Sequence, residues 1–300
     1  MSTDPEHSAL FLDALDRLDA AWRALPDKPE ETSRSTAKAL WFAAAGDPRS
    51  VVRSADATLP ALNGDAQARF RSLLDARLAG KPLAHLTGKQ HFAGLELLSG
   101  PEALIPRRET EILARSAIEA LRCANGERVA IDVCTGSGNV ALALAASDPE
   151  CRVVGTDLSS DAVSLASRNA TGLGMAGRVS FVTGDLFAAL EGPEFYKRAA
   201  VVTCNPPYIT SARVSTMAPE ISQHEPRLAF DGGSLGLSVI TRLITDAPRF
   251  LRSGGTLCFE IGAGTGAFVA SRVSRSPAYS GMRLVDDDQG VTRVIVATLA

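Results

Sequence analysis

The sequence predicts an α/β protein: a doubly wound, mostly parallel sheet behind a small helical N-terminal domain. Three observations carry this. From residue 128 onward, short apolar runs alternate with helical patterns, the order of β–α units in a parallel sheet. The first unit is a strand, a glycine turn and a helix: Val129-Ala130-Ile131-Asp132-Val133, then Cys134-Thr135-Gly136-Ser137-Gly138, then the alanine- and leucine-rich start Asn139 to Ala146. The apolar run Ala199 to Val202 leads into Asn205-Pro206-Pro207-Tyr208. Neither proline can donate to a ladder, so the chain must leave the sheet there.

The elements follow in order. Ala9 to Leu25 is an amphipathic helix with Leu10, Leu12, Leu15, Leu18 and Trp22 mainly on one face, broken by Pro26-Asp27-Lys28-Pro29. Thr32 to Ala45 is a second helix, offering Leu40, Trp41 and Ala44 for packing, and Ala66 to Leu78 a third. Trp22 and Trp41 read as core residues. The helical domain spans 1–80. A linker, 81–105, follows, and His85 to Leu95, with its glycine punctuation, reads as a hairpin. His85 and His91 lack the companions of a metal site and read as surface or hairpin residues. A helix begins near Thr110, its positive end suiting Glu109 and Glu111. The main domain covers 106–300. Within it, Ser238 to Leu251 reads as a helix, and Gly255 to Ile261 and Val291 to Leu299 as strands.

Candidate site residues collect at strand ends, where open α/β sheets bind ligands. The glycine turn brings backbone N–H groups close to a ligand, although Cys134 at the first glycine position sets it apart from a dinucleotide fingerprint. The strand Arg152 to Thr156 ends in Asp157, which suits a pair of ribose hydroxyls. The strand Val179 to Thr183 ends in Gly184-Asp185-Leu186-Phe187, where Asp185 suits an adenine amino group with Leu186 and Phe187 near the ring. Each acid alone is more often a cap or turn residue; placement at successive strand ends favours the site. Ile209 to Gly233 is a long irregular stretch, usually a sign of function or mobility. In it His224 and Glu225 read as a catalytic base or as scaffolding of a substrate loop, the second being favoured.

Bulk properties narrow the classes. Three hundred residues at 45% hydrophobic content support one large domain and one small one. A net charge of −3 gives no global attraction to nucleic acid. No apolar run approaches the ~18–20 residues that span a bilayer. The acidic start Met1 to Glu6 is unlike a signal or transit peptide. Five scattered cysteines without a C-x-x-C pair read as free thiols, in keeping with a cytoplasmic protein.

Asp132 to Gly138, Asp157, Asp185 and Asn205 to Tyr208 together resemble a class I S-adenosylmethionine-dependent methyltransferase, most closely the HemK/PrmC-type protein-(glutamine-N5) methyltransferases. Gly80-Lys81-Pro82-Leu83, Thr87-Gly88, Ile105-Pro106-Arg107, Glu109-Thr110-Glu111, His224-Glu225-Pro226 and Gly232 to Leu237 extend the resemblance over roughly 80–300. Arg108 stands where the family usually has proline, and Cys134 where its release-factor enzymes usually have glycine. Cys134 is closer to sibling enzymes acting on a ribosomal protein, whereas Glu109-Thr110-Glu111 is closer to the release-factor enzymes. The resemblance implies a seven-stranded sheet with a final antiparallel hairpin. It implies S-adenosylmethionine held by Asp132, Thr135, Gly136, Ser137, Gly138, Asp157, Leu158, Asp185, Leu186 and Asn205, with Ile105-Pro106-Arg107 at its border. It also implies a protein substrate, a peptide chain release factor or related translation protein, met by Asn205, Pro206, Pro207, Tyr208 and Glu225.

These residue types suit the reaction. An amide nitrogen is a poor nucleophile because its lone pair is delocalised. Two acceptors gripping its two N–H groups aim the lone pair and offset the charge that develops on nitrogen. The Asn205 side-chain oxygen and the Pro206 carbonyl are the expected pair, with Tyr208 as a wall against the planar amide. No metal is required. The same geometry serves adenine N6. Methylation of a small metabolite, of nucleic-acid adenine, or cofactor binding without catalysis therefore stand as alternatives.

Overall fold

The computed structural model describes residues 5–21, 28–214, 216, 219–233 and 237–300. The chain divides into two units. The first comprises Met1–Pro101, Ile105–Arg107 and Ala218–Glu225; the second comprises Glu102–Leu104, Arg108–Met217 and Pro226–Ala300.

The first unit holds helices α1 (Ala9–Ala21), α2 (Ser33–Ala44), α3 (Val51–Ser54), α4 (Gly64–Leu78) and α5 (Leu83–Thr87), then strands β1 (Lys89–Phe92) and β2 (Leu95–Leu98). Side chains start three of the helices, α2, α3 and α4. The Thr32 hydroxyl accepts from Ser35 N while the Ser35 hydroxyl accepts from Thr32 N, and Asn63 accepts from Ala66 N. Such caps contribute about 1 kcal/mol each. Trp41 is a core residue, as expected: Phe11 and Phe70 meet its ring edge-on at 5.7 and 5.0 Å, and its Nε1 donates to Pro60 O at 2.8 Å. Trp22, Leu25 and the break at Pro26-Asp27 lie outside the described residues. The hairpin starts later than the sequence suggests. His85 to Thr87 remain helical until Gly88 ends α5 at φ 67°; Lys89–Phe92 then pairs with Leu95–Leu98 across Ala93-Gly94, at φ 47° and 85°. Two left-handed residues match the twist of a tight hairpin.

Buried ions fasten the last segment of this unit. Lys28 and Arg77 meet Glu220 at 3.2 and 3.0 Å, and Arg77 meets Glu31 at 3.4 Å. Glu225, its side chain fully enclosed, accepts from Ile105 N at 2.9 Å and from the Arg107 guanidinium.

The second unit opens with α6 (Thr110–Cys123) and alternates through β3 (Val129–Val133), α7 (Asn139–Ser147), β4 (Arg152–Asp157), α8 (Ser160–Gly172), β5 (Val179–Thr183) and β6 (Ala199–Cys204). It then carries α9 (Ser211–Val214). The next helix in the chain, α10 (Pro219–Ser222), belongs to the first unit; α11 (Ser238–Asp246), β7 (Leu251–Glu260), α12 (Gly266–Ser274), β8 (Tyr279–Asp286) and β9 (Thr292–Leu299) return to the second. The sheet has seven strands in the order β5-β4-β3-β6-β7-β9-β8. The first five are parallel, and β9 runs antiparallel to both β7 and β8, the final hairpin the resemblance implies. β6 is buried along its whole length, as a central strand covered on both faces must be. Its core includes Ile131, Val202, Leu257, Phe259 and Ile295, with Phe187 and Phe250 stacked at 4.4 Å. The strand order reverses between β3 and β6, the switch point where such sheets bind ligands.

The stretch after Tyr208 is more ordered than the sequence suggests. It contains two single-turn helices, and Asp231 gathers the Ser211 hydroxyl at 2.5 Å and Gly233 N at 3.1 Å. Single turns are too short to show a helical period. Ser234, Leu235 and Gly236 lie outside the described residues.

Candidate active site

Five parallel strands present their carboxyl ends along one edge, bringing the loops after β3, β4, β5 and β6 and the end of β7 together.

The glycine loop after β3 is held from below. Asp132 is sealed beneath it, and its carboxylate accepts from the Thr135 hydroxyl at 2.5 Å and the Thr203 hydroxyl at 2.6 Å. Burial pushes its pKa up to about 6, against the pull of those two donors. Asp132 thus ties the loop to β6 through Thr135 and Thr203. Asn169 of α8, not marked by any sequence motif, donates to Ser137 O at 3.0 Å. Gly138 stands at φ 80°, and a β-carbon there would meet the Phe181 ring at 2.8 Å, so only glycine fits. Cys134 takes φ 56°, a region where a side chain costs about 1–2 kcal/mol. This explains why glycine is the usual residue there.

The upper face of the loop is open. A β-carbon on Gly136 would meet nothing within 4 Å. The Ser137 hydroxyl is buried with no partner among the described residues. Asp157 accepts from Gly136 N at 2.8 Å and Ser159 N at 2.9 Å, and Leu158 beside it is 56% exposed. Burial holds the Asp157 carboxyl above the usual carboxylate range, and the backbone donors only partly offset this. Open backbone, a carboxylate and an apolar side chain together fit the ribose and base of an adenosyl group. Leu186 sits at φ 51°, with the Thr156 hydroxyl donating to its carbonyl at 2.6 Å. Asp185 is half exposed and pairs with Arg242 at 3.0 Å.

The chain leaves β6 through Asn205 and the buried Pro206. Asn205 Nδ2 donates to the Thr110 hydroxyl at 3.1 Å, which donates to Glu260 Oε2 at 2.7 Å. The Tyr208 hydroxyl donates to Glu260 Oε1 at 2.9 Å. Glu260 is buried, and desolvation pushes its pKa up to about 7. The nearby Glu260 charge, then burial, raises the Tyr208 phenol well above its ordinary value. A β-carbon on Gly262 would meet Tyr208 Cδ2 at 3.0 Å, so glycine leaves room for the ring. No sequence motif singles out Glu260 or Gly262. The available signal was an acid at the carboxyl end of an apolar strand, the same signal that marks Asp157. His224 follows α10 and is half-buried; Glu225 is buried within the first unit, its carboxylate held by Arg107 and Ile105 N.

Comparison with known proteins agrees. Residues 110–237 match the model of the methyltransferase small domain family. The chain is 37% identical over 282 residues to the release factor glutamine methyltransferase of Moorella thermoacetica, covering 93% of this chain and 96% of that one. It is 34% identical over 270 residues to the enzyme of the same name from Cereibacter sphaeroides, covering 90% and 92%. Among solved structures, the hMettl16 catalytic domain superposes with a TM-score of 0.55 at 15% identity, covering 74% of this chain and 82% of that one. At that identity the likeness is one of fold.

Proposed function

The chain belongs to the release factor glutamine methyltransferase family, and on that premise we propose that it methylates the side-chain amide nitrogen of a glutamine in a peptide chain release factor. The observation that carries this is the Asn205-Pro206-Pro207-Tyr208 exit beside the open glycine loop, in a chain resembling these relatives over nine-tenths of its length. The family's methyl donor is S-adenosylmethionine, which when bound supplies a methyl group on a positively charged sulfur. Asp157 would take the ribose hydroxyls, Gly136 to Gly138 would line the amino acid end, and Leu158 and Leu186 would flank the base. Asp185, relieved of Arg242, takes the adenine amino group.

Asn205 Oδ1 and the Pro206 carbonyl accept the two amide N–H groups of the glutamine. They aim its nitrogen and stabilise the positive charge it gains. Tyr208 covers the planar amide and excludes water. The first unit recognises the protein substrate, and the enzyme works in the cytoplasm, where its five free cysteines stay reduced. Relatives that span the chain carry this one activity in their names, and the metabolite and adenine readings have no comparable support.

The test is Asn205→Ala with a purified release factor and labelled S-adenosylmethionine. Turnover should fall on the order of a hundredfold or more while cofactor affinity by calorimetry is unchanged. Asn205→Asp should be nearly as poor, because it loses the amide donor and adds a charge. Wild-type rates for both folded variants would remove Asn205 from the reaction.

A further inference from the structure

Three side chains from distant parts of the chain meet behind Asn205, and with Glu260 ionised their chemistry admits one arrangement of protons. Glu260 ends β7, buried, and accepts from the Thr110 hydroxyl through Oε2 and the Tyr208 hydroxyl through Oε1. An ionised carboxylate has no proton to give, so both hydroxyls must donate to it. The Thr110 hydroxyl has a single proton. Having donated it, Thr110 can only accept from Asn205 at 3.1 Å. The Asn205 group facing Thr110 must therefore be the NH2, and its oxygen is turned the other way. A side-chain amide otherwise has two orientations of similar shape, and only one offers an acceptor to a substrate amide.

Resting on the assignment of Asn205 as an acceptor, we propose that Glu260, acting through Thr110, is a positioning residue that fixes the Asn205 amide with its oxygen toward the substrate. Its second oxygen holds Tyr208 in place by the same contact. Replacing Glu260 by glutamine breaks the logic without changing the shape. A glutamine NH2 facing Thr110 donates to its oxygen, frees the Thr110 proton for Asn205 Oδ1, and so stabilises the flipped amide that hides the acceptor. Thr110→Val removes the link, and Thr110→Ser keeps it.

The experiment measures kcat and KM for a purified release factor, with cofactor affinity by calorimetry and folding by thermal melting. Thr110→Val and Glu260→Gln should each lose about tenfold or more in kcat, with KM and cofactor affinity within about twofold, and Thr110→Ser should stay within about threefold of wild type. Should Glu260→Gln not fold, the Thr110 pair decides alone. If Thr110→Val turns over at the wild-type rate, or Thr110→Ser is as poor as Thr110→Val, the relay is wrong. A wild-type enzyme that leaves release factors unlabelled, or an Asn205→Ala variant at full rate, instead sinks the assignment beneath it.

Discussion

The two units satisfy their buried acids in opposite ways. In the first, Glu220 and Glu225 face cations: Lys28 and Arg77 for one, Arg107 for the other. Burial raises Glu220, but the two cations outweigh it and leave its pKa below the ordinary value. Glu31, deeper and shared, stays above it because burial wins over Lys28 and Arg77. In the second unit, Asp132 and Glu260 rely on neutral hydroxyls, Thr135 and Thr203 for one, Thr110 and Tyr208 for the other. Hydroxyls supply direction but little counter-charge, and both acids are driven toward neutral pH. Cations lock segments of chain together; hydroxyls pass an orientation onward while keeping the acid close to its titration.

The largest expected effect tests the first half of this contrast. Arg107→Met leaves the enclosed Glu225 carboxylate without its cation, with Ile105 N as its partner among the described residues. It should cost about 3–5 kcal/mol of stability in urea melts. An unchanged midpoint would mean that the cation is dispensable and the contrast false.

The second half predicts a pH dependence. Asp132 is raised from 3.8 to about 6 and Glu260 from 4.5 to about 7, so the folded state binds more protons than the unfolded one between those values. Stability is then highest at low pH and declines from about pH 4 to pH 7, by about 3 kcal/mol for each group. Melting temperatures of Asp132→Asn and Glu260→Gln should show flatter slopes over that window; equal slopes would refute the assignment. Turnover should run the other way, rising as Glu260 ionises. The groups facing it are Thr110, Tyr208, Glu109 and Arg293, and Arg293 is itself held by Asp287 at 2.8 Å.

The smallest effect lies at the rim. Asp157 leans on backbone N–H groups, neither cation nor hydroxyl. Asp157→Ala should weaken cofactor binding by about 1–3 kcal/mol with catalysis on saturated enzyme preserved. Calorimetry giving wild-type affinity would move the ribose elsewhere.

The same contrast explains what the sequence reveals. β3 and β5 occupy the stretches their apolar runs mark, and the turns after them were readable from glycines and acids alone. Those signals are local. The Glu260–Thr110 and Asn205–Thr110 contacts join residues 150 and 95 positions apart, and no window of sequence contains them. Glu260 lies inside a strand, and Thr110 reads in the sequence only as the start of a helix and as part of a family motif. β8 escaped because it is an exposed edge strand, without the apolar alternation that marks a half-buried one.

The division of the first unit into three pieces of chain has a consequence for how the protein is made. Lys28, Arg77 and Arg107 are enclosed cations, and Glu31, which pairs with Lys28 and Arg77, leaves the ribosome with them. Glu220 and Glu225 emerge more than a hundred residues after Arg107. Until then Lys28, Arg77 and Arg107 lack those two carboxylates. The N-terminal part therefore lacks its last ion pairs while β3 to β6 are synthesised. The segment that follows Tyr208 completes the older part of the chain, and residues 1–80 made alone would lack the anions that close them.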